Sequence, residues 1–286
     1  MPYPKFDYLK PDTLEEATDI LAQHEEDAKI IAGGSDLLPD LRARLIEPRY
    51  LVDVKEIEEM KELSYDDEKG LTIGAAVSLN EIAELDIVKE IFKPLWSSVT
   101  QLADPTIRNR ATLVGNICTA SPAGDSAPAL LVLDAEVNAV SESGERKIPI
   151  QDFFTGVKRN SLGDKELVKS VTVPTPPETA VGDYLKWRRT RGEDLSLVGV
   201  AALVTEPPSG VLKIALSSVA PIPIYISEAE EILKDKKSVD AVIEKAVTVV
   251  KEKISPITDV RCGESYRLHM AEVLTRNILK KLLEER

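Results

Sequence analysis

The sequence predicts an α+β protein whose N-terminal part is organised as α/β subdomains and whose C-terminal part carries strands followed by helices. Three observations lead there. Short strand patterns alternate with amphipathic helical ones through the first part of the chain. A proline cluster, Pro174-Thr-Pro-Pro177, follows a strand pattern and marks a linker. Beyond it, strand patterns come first and helical ones last. The length of 286 residues agrees with about two domains, each able to bury its own core. The expected division is residues 1–176, in subdomains of about 1–55 and 56–176, and residues 177–286.

Thr13 to His24 has Leu14, Ala17, Ile20 and Leu21 on one helical face, with Thr13 as N-cap and Glu16 three residues on. Ala28 to Ala32 is a short buried strand closed by Gly33-Gly34. Ser35 and Asp36 open a second helix through Arg44, with Pro39 in its first turn. Tyr50 to Val54 and Leu71 to Ala75 are strands, and Ser78 to Glu81 has capping-box spacing before a helix over Ile82 to Leu85. A helical stretch near Ile91 to Leu102 breaks at Asp104-Pro105. A small, polar, loop-like segment follows, and then a buried helix over Ala127 to Leu133. Glu136 to Val140 and Arg146 to Ile150 flank Glu142-Ser-Gly144 as a hairpin, and Leu167 to Val173 is a strand leading into the linker. In the last part, Tyr184 to Arg189, Leu197 to Val204 and Gly210 to Val219 are strands, with a hairpin turn at Pro207-Pro208-Ser-Gly. Helices follow near Glu228 to Leu233, Val239 to Val250 and Glu264 to Leu283.

Composition narrows the function. With 36 Lys+Arg against 49 Asp+Glu, the net charge of −13 argues against a nucleic-acid or anionic-membrane surface, which needs concentrated cations. The longest apolar runs are about eight residues and the start has no apolar signal core, so neither a membrane span nor an export signal is expected. Two cysteines, Cys118 and Cys262, are too few for an iron–sulfur cluster and fit a reduced, cytoplasmic setting. His24 and His269 form no H-E-x-x-H pair, and no G-x-S-x-G is present, so neither a zinc protease nor an α/β-hydrolase is expected. No catalytic or metal-ligating residue stands out.

Two segments can hold a ligand. Gly33-Gly34-Ser35-Asp36 follows a strand and opens a helix, where glycines permit left-handed angles and unpaired amides attract a pyrophosphate. A tight turn explains the glycines equally well, and both the Rossmann and the P-loop fingerprints are absent. Thr112-Leu-Val-Gly115-Asn116, continuing to Ser121-Pro-Ala-Gly-Asp125, interleaves small and polar residues that can present amides, hydroxyls and a carboxamide to an extended anion. The alternative is a capped loop with Asp125 at a helix start. Arg108 and Arg110 give this stretch local positive charge, unless they are exposed and paired with carboxylates.

Taken in order, these motifs resemble the FAD-binding medium subunit of the molybdenum hydroxylases, the family of aerobic carbon monoxide dehydrogenase and xanthine dehydrogenase. The first is Ala32-Gly33-Gly34-Ser35-Asp36-Leu37, and the second Ile107-Arg-Asn-Arg-Ala-Thr-Leu-Val-Gly115-Asn116 with Ala120-Ser-Pro-x-x-Asp125. Tyr184-x-Lys186, Val219-Ala-Pro-x-Pro223 and Ser265 to Leu274 continue the series. The resemblance covers nearly the whole chain. It implies the flavin fold of the vanillyl-alcohol oxidase and CO dehydrogenase flavoprotein type, followed by a C-terminal α+β domain with an antiparallel sheet and helices. FAD would contact Ala32, Gly33, Gly34, Ser35, Asp36 and Leu37 from the first motif, and Thr112, Leu113, Val114, Gly115 and Asn116 from the second. Thr119 and Asp125 would add hydrogen bonds, Lys29, Ile30 and Ile31 would lie beside the adenine half, and Lys186 would approach the ring edge. Ala103 and Val168 complete the implied set.

Ala111 and Val114 stand where the family has glycine, and a β-branched residue at positive φ is strained, which would alter the fit to FAD. The implied activity is electron transfer as an oxidoreductase subunit. A large molybdenum-cofactor subunit would oxidise substrate, a small subunit with two [2Fe-2S] clusters would relay electrons, and FAD on this chain would pass them to an external acceptor. The assembly would be a heterotrimer or its dimer. The competing readings are a scaffold without FAD and a stand-alone reductase resembling the enolpyruvyl-UDP-N-acetylglucosamine enzyme.

Overall fold

A computed structural model describes residues 3–190, 192–206, 210–234 and 238–284. Its first unit runs β1 (Asp7–Leu9), α1 (Leu14–His24), β2 (Ala28–Ile31), α2 (Leu37–Arg42) and β3 (Tyr50–Asp53). The strands form a parallel sheet in the order β1-β3-β2. Helix α1 starts as expected, with Thr13 Oγ1 accepting from the Glu16 amide at 3.2 Å, and buries Ala17, Thr18 and Leu21. Helix α2 ends two residues before the expected Arg44, which takes φ 57° and turns the chain away.

The middle of the chain runs β4 (Leu63–Asp66), β5 (Gly70–Gly74), α3 (Leu79–Glu84), α4 (Asp86–Glu90), α5 (Lys93–Gln101), α6 (Pro105–Arg108), α7 (Leu113–Thr119) and α8 (Ser126–Val132). It continues with β6 (Glu136–Ser141), β7 (Gly144–Pro149), α9 (Ile150–Phe153), β8 (Phe154–Gly156), β9 (Arg159–Asn160) and β10 (Leu167–Val173). An antiparallel sheet of order β4-β5-β10-β6-β7 organises it, with β8 and β9 as a separate ribbon. The Ser78–Glu81 capping box is formed in both directions. The helix expected near Ile91 to Leu102 is α5, which starts at Lys93 with Pro94 in its first turn, and a separate short helix, α4, precedes it. The polar stretch after Thr112 is no loop: it forms α7, which starts on the Thr112 side chain.

The last part comprises β11 (Val181–Trp187), β12 (Val198–Val204), β13 (Leu212–Ser217), β14 (Ile224–Tyr225), α10 (Val239–Lys253) and α11 (Glu264–Glu284). The strands form one antiparallel sheet in sequential order. Every residue of β12 is buried, as its unbroken apolar run requires, because both faces are covered. Val198, Val200, Ala202 and Val204 join the core under α10 and α11, whereas Ala201 and Leu203 belong, with Tyr184 and Ala215, to the core of the preceding sheets. Residues 207–209 of the expected proline turn lie outside the described residues. The helix expected near Glu228 to Leu233 is only a 3-10 turn over Ser227–Ala229. Among the described residues, no helix is long and apolar enough to cross a membrane.

Candidate functional site

The two glycine-bearing segments meet. Gly33 and Gly34 leave the C-terminal end of β2, and a Cβ at Gly33 would sit 2.0 Å from the Arg110 carbonyl oxygen and 2.8 Å from Ala111 Cα. The absent side chain at 33 therefore lets the loop before α7 lie against the loop before α2. Gly34 has φ +73°, a conformation that L side chains rarely adopt. Among the described residues, the amides of Gly33, Gly34, Ser35 and Asp36 have no protein acceptor, and the first bond beyond them runs from the Leu38 amide to the Gly34 carbonyl at 3.0 Å.

Helix α7 is positioned from two sides. Thr112 caps it, accepting from the Gly115 amide at 2.9 Å, and the Ala111 carbonyl accepts from the Leu79 amide at 2.8 Å, next to the Ser78 capping box. Ala111 and Val114 are buried and neither has positive φ, so the strain their side chains suggested does not arise. Thr119 Oγ1 donates to Asp36 Oδ2 at 2.9 Å and so bolts α7 to the first loop. Asn116 Oδ1 accepts from Ser126 Oγ at 2.6 Å, which ties α7 to α8.

Arg108 does not supply the expected positive charge to this site. Its NH1 donates to the carbonyls of Thr100, Leu102 and Ala103, each at 3.1 Å, and its Nε to Asn80 Oδ1, because the last turn of α5 otherwise leaves those carbonyls unpaired. Ala103 is held there at φ 47°. Arg110 is exposed, with its charge near the Tyr8 phenol.

Asp125 and Lys186 come together from different parts of the chain. Lys186 Nζ on β11 donates to Asp125 Oδ2 at 2.7 Å and to the Gln101 carbonyl at 3.2 Å, and the Tyr184 hydroxyl donates to Asp125 Oδ1 at 2.6 Å. The ion pair is nearly dry, with side chains 2% and 6% exposed. Burial pushes the Asp125 carboxyl up, against the pull of Lys186 and Tyr184, and burial together with the Asp125 charge holds the Tyr184 phenol well above its ordinary value. Tyr184 is therefore a neutral donor. Gln101 and Tyr184 were not singled out as site residues by sequence reasoning. The two-residue spacing that puts Tyr184 and Lys186 on one face of a strand was the available signal.

Of the remaining residues, Lys29, Ile30 and Ile31 occupy β2, with Lys29 exposed and Ile31 buried, and Leu37 begins α2. Val168 is buried on β10 at a register shift. Leu113 is fully buried in the first turn of α7.

A parallel three-stranded sheet with a glycine turn at its strand ends, an antiparallel second sheet and a C-terminal sheet covered by two helices define a flavoprotein class. Residues 4–176 match the FAD binding domain in molybdopterin dehydrogenase, and residues 183–282 match the CO dehydrogenase flavoprotein C-terminal domain. The chain belongs to this family of FAD-binding medium subunits of molybdenum hydroxylases, which are oxidoreductases.

Among its relatives, the xanthine dehydrogenase FAD-binding subunit of Escherichia coli O157:H7 is 28% identical over 277 residues, covering 96% of this chain and 94% of that one. The 6-hydroxypseudooxynicotine dehydrogenase complex subunit alpha of Paenarthrobacter nicotinovorans is 31% identical over 283 residues, covering 98% and 95%. A chain of the carbon monoxide dehydrogenase of Hydrogenophaga pseudoflava superposes with a TM-score of 0.93 at 27% identity, covering 99% of this chain and 98% of that one.

Proposed function

We propose that this chain is the electron-transfer subunit of a heteromeric molybdenum-dependent dehydrogenase. In this reading it receives electrons from [2Fe-2S] clusters on a small partner subunit, which is fed by substrate oxidation on a large molybdenum-cofactor subunit, and delivers them to an external acceptor. The observation that carries the reading is the run of amides without a protein acceptor from Gly33 to Asp36, closed against the loop before α7. A row of N–H donors on a turn that opens with two glycines fits the pyrophosphate of a dinucleotide. When bound, FAD supplies the exchange between one-electron and two-electron carriers.

The chain's own residues would bind and orient. Ala32, Gly33, Gly34, Ser35, Asp36 and Leu37, with Thr112, Leu113, Val114, Gly115 and Asn116, would hold the pyrophosphate and ribityl regions. Thr119 would act through its bond to Asp36. Lys29, Ile30, Ile31 and Val168 would flank the adenine half, and Ala103, Asp125 and Lys186 the ring half. The FAD-binding domain would span residues 1–176, its subdomains meeting near residue 55, and the C-terminal domain residues 177–286. Two cysteines, both free, leave no cluster ligands on this chain, so the clusters would belong to a partner in a heterotrimer or its dimer. The compartment would be the cytoplasm, where such thiols stay reduced.

The visible spectrum of the purified chain tests the reading. Flavin absorption with about one FAD released per chain supports it, and a colourless protein that takes up no added FAD overturns it in favour of a scaffold. Purification of the native assembly tests the partners. A chain that turns over a substrate alone, without molybdenum or iron–sulfur companions, would overturn the subunit assignment.

A further inference from the structure

Tyr184 is among the largest fully buried side chains, at 1% exposure, yet its hydroxyl serves a single carboxylate. Asp125 is bridged: Oδ1 takes the phenol and Oδ2 takes the Lys186 ammonium. The space behind the phenol is tight. Gly199 lies opposite Lys186 in the β11–β12 register, and a Cβ there would come within 2.5 Å of both the Tyr184 hydroxyl and Ser217 Oγ. The hydroxyls of Ser196 and Ser217 are fully buried and make no hydrogen bond among the described residues. Without the phenol, Asp125 would keep one fixed donor instead of two and could turn about its Cβ–Cγ bond. Lys186 would then be fixed mainly by the Gln101 carbonyl.

We propose that Tyr184 is a positioning residue for the flavin site, acting through Asp125 to fix where the Lys186 ammonium sits. The proposal rests on the reading of this region as the FAD site. Tyr184 is buried at 1% exposure. Its one hydrogen is committed to the carboxylate, and its effect on the flavin is transmitted by the orientation of a buried charge.

The test compares the wild-type chain, Tyr184→Phe, Asp125→Asn and the double variant. FAD affinity is measured by flavin fluorescence and the flavin midpoint potential by spectroelectrochemistry. Tyr184→Phe should weaken FAD binding several-fold, because a loosened Lys186 ammonium is less well placed for the flavin, and shift the midpoint potential. Both effects should shrink in the Asp125→Asn background, because a neutral carboxamide there no longer pairs with the Lys186 ammonium by charge. A Tyr184→Phe protein equal to wild type in both readouts, or effects that persist in full without the carboxylate, overturns the proposal. Should Tyr184→Phe fail to fold, 3-fluorotyrosine placed at 184 keeps the shape and strengthens the donor. It should shift the midpoint from the wild-type value, and no shift overturns the proposal. A wild-type chain that binds no FAD overturns the site reading itself, whereas tight FAD binding with an inert Tyr184→Phe overturns only the role of Tyr184.

Discussion

At Gly33 the space of a side chain is filled by the Arg110 carbonyl, 2.0 Å from where a Cβ would stand, so this glycine serves loop–loop contact as much as ligand approach. Gly33→Ala should push the loops before α2 and α7 apart, lower the melting temperature and weaken FAD binding, all measurable on the purified chain. Gly34→Ala meets its nearest neighbour, Leu38, at 3.3 Å, and should cost only about 1–2 kcal/mol for its left-handed backbone. A Gly34→Ala variant less stable than Gly33→Ala would contradict this order. A second residue-level prediction concerns acid. Burial pushes the Asp259 carboxyl up, but bonds from the Arg261 side chain and from the amides of Arg261 and Cys262, with the nearby Arg267 charge, hold it well below the ordinary value. Its folded value lies below the unfolded one, so its stabilisation is complete above about pH 4 and is lost as pH falls toward the folded value. Asp259 also accepts from Arg267, which is buried at 1% exposure, at 2.9 Å. Asp259→Asn should therefore cost about 2 kcal/mol near pH 7, with the gap to wild type closing below pH 4 in melting curves. A gap that stays constant with pH would refute the assignment. At this scale the strand-to-glycine turn at Gly33-Gly34 was legible, because its chemistry is local to a motif. The role of Arg108 was not, since carbonyls at a helix end leave no mark on the residue types around them.

Helix α7 depends on one hydroxyl, Thr112 Oγ1 at its first turn, and on the capping box of α3 beside it. Thr112→Val keeps the volume and removes the cap. It should cost about 1 kcal/mol and weaken FAD binding, because the first turn of α7 forms one wall of the proposed site. Ser78→Ala should cost a similar amount at α3 while affecting FAD less, and calorimetry beside a flavin titration separates the two. Legibility at the level of elements followed pattern length. Helix α1 with its Thr13 cap, and β10 at Leu167–Val173, were readable because apolar period and boundary residues agreed. Strand β1 was missed because three residues, Asp7–Leu9, are too few for an alternation to register, and none is buried. Helix α7 was read as loop because Thr, Gly and Asn favour turns when taken singly, whereas here a cap and a buried face of Leu113, Val114 and Ile117 impose the helix.

Across the whole molecule, the C-terminal sheet is shared between two cores. Tyr184, Ala201, Leu203 and Ala215 pack with the N-terminal sheets, while the opposite face packs under α10 and α11. Polar ties cross the same seam: Ser97 to Asp183, Lys213 to Asp134, and the Ser218 amide to the Pro122 carbonyl at 2.6 Å. Urea should therefore unfold the chain in one cooperative transition, with fluorescence and circular dichroism coincident. Two separated transitions would show that the seam couples the parts only weakly. That both faces of β12 are buried was legible in its unbroken apolar run. Which partners cover the faces was not, because burial says nothing of what buries. The sheet's borders carry one more consequence. Helix α5 runs along β11, with Gln101 donating to the Tyr184 carbonyl at 3.3 Å, and the far border, β14, is only two residues long. Among the described residues, one border of this sheet thus has a helix packed along it and the other is only two residues long, which leaves a second copy of the chain little backbone to pair with edge to edge.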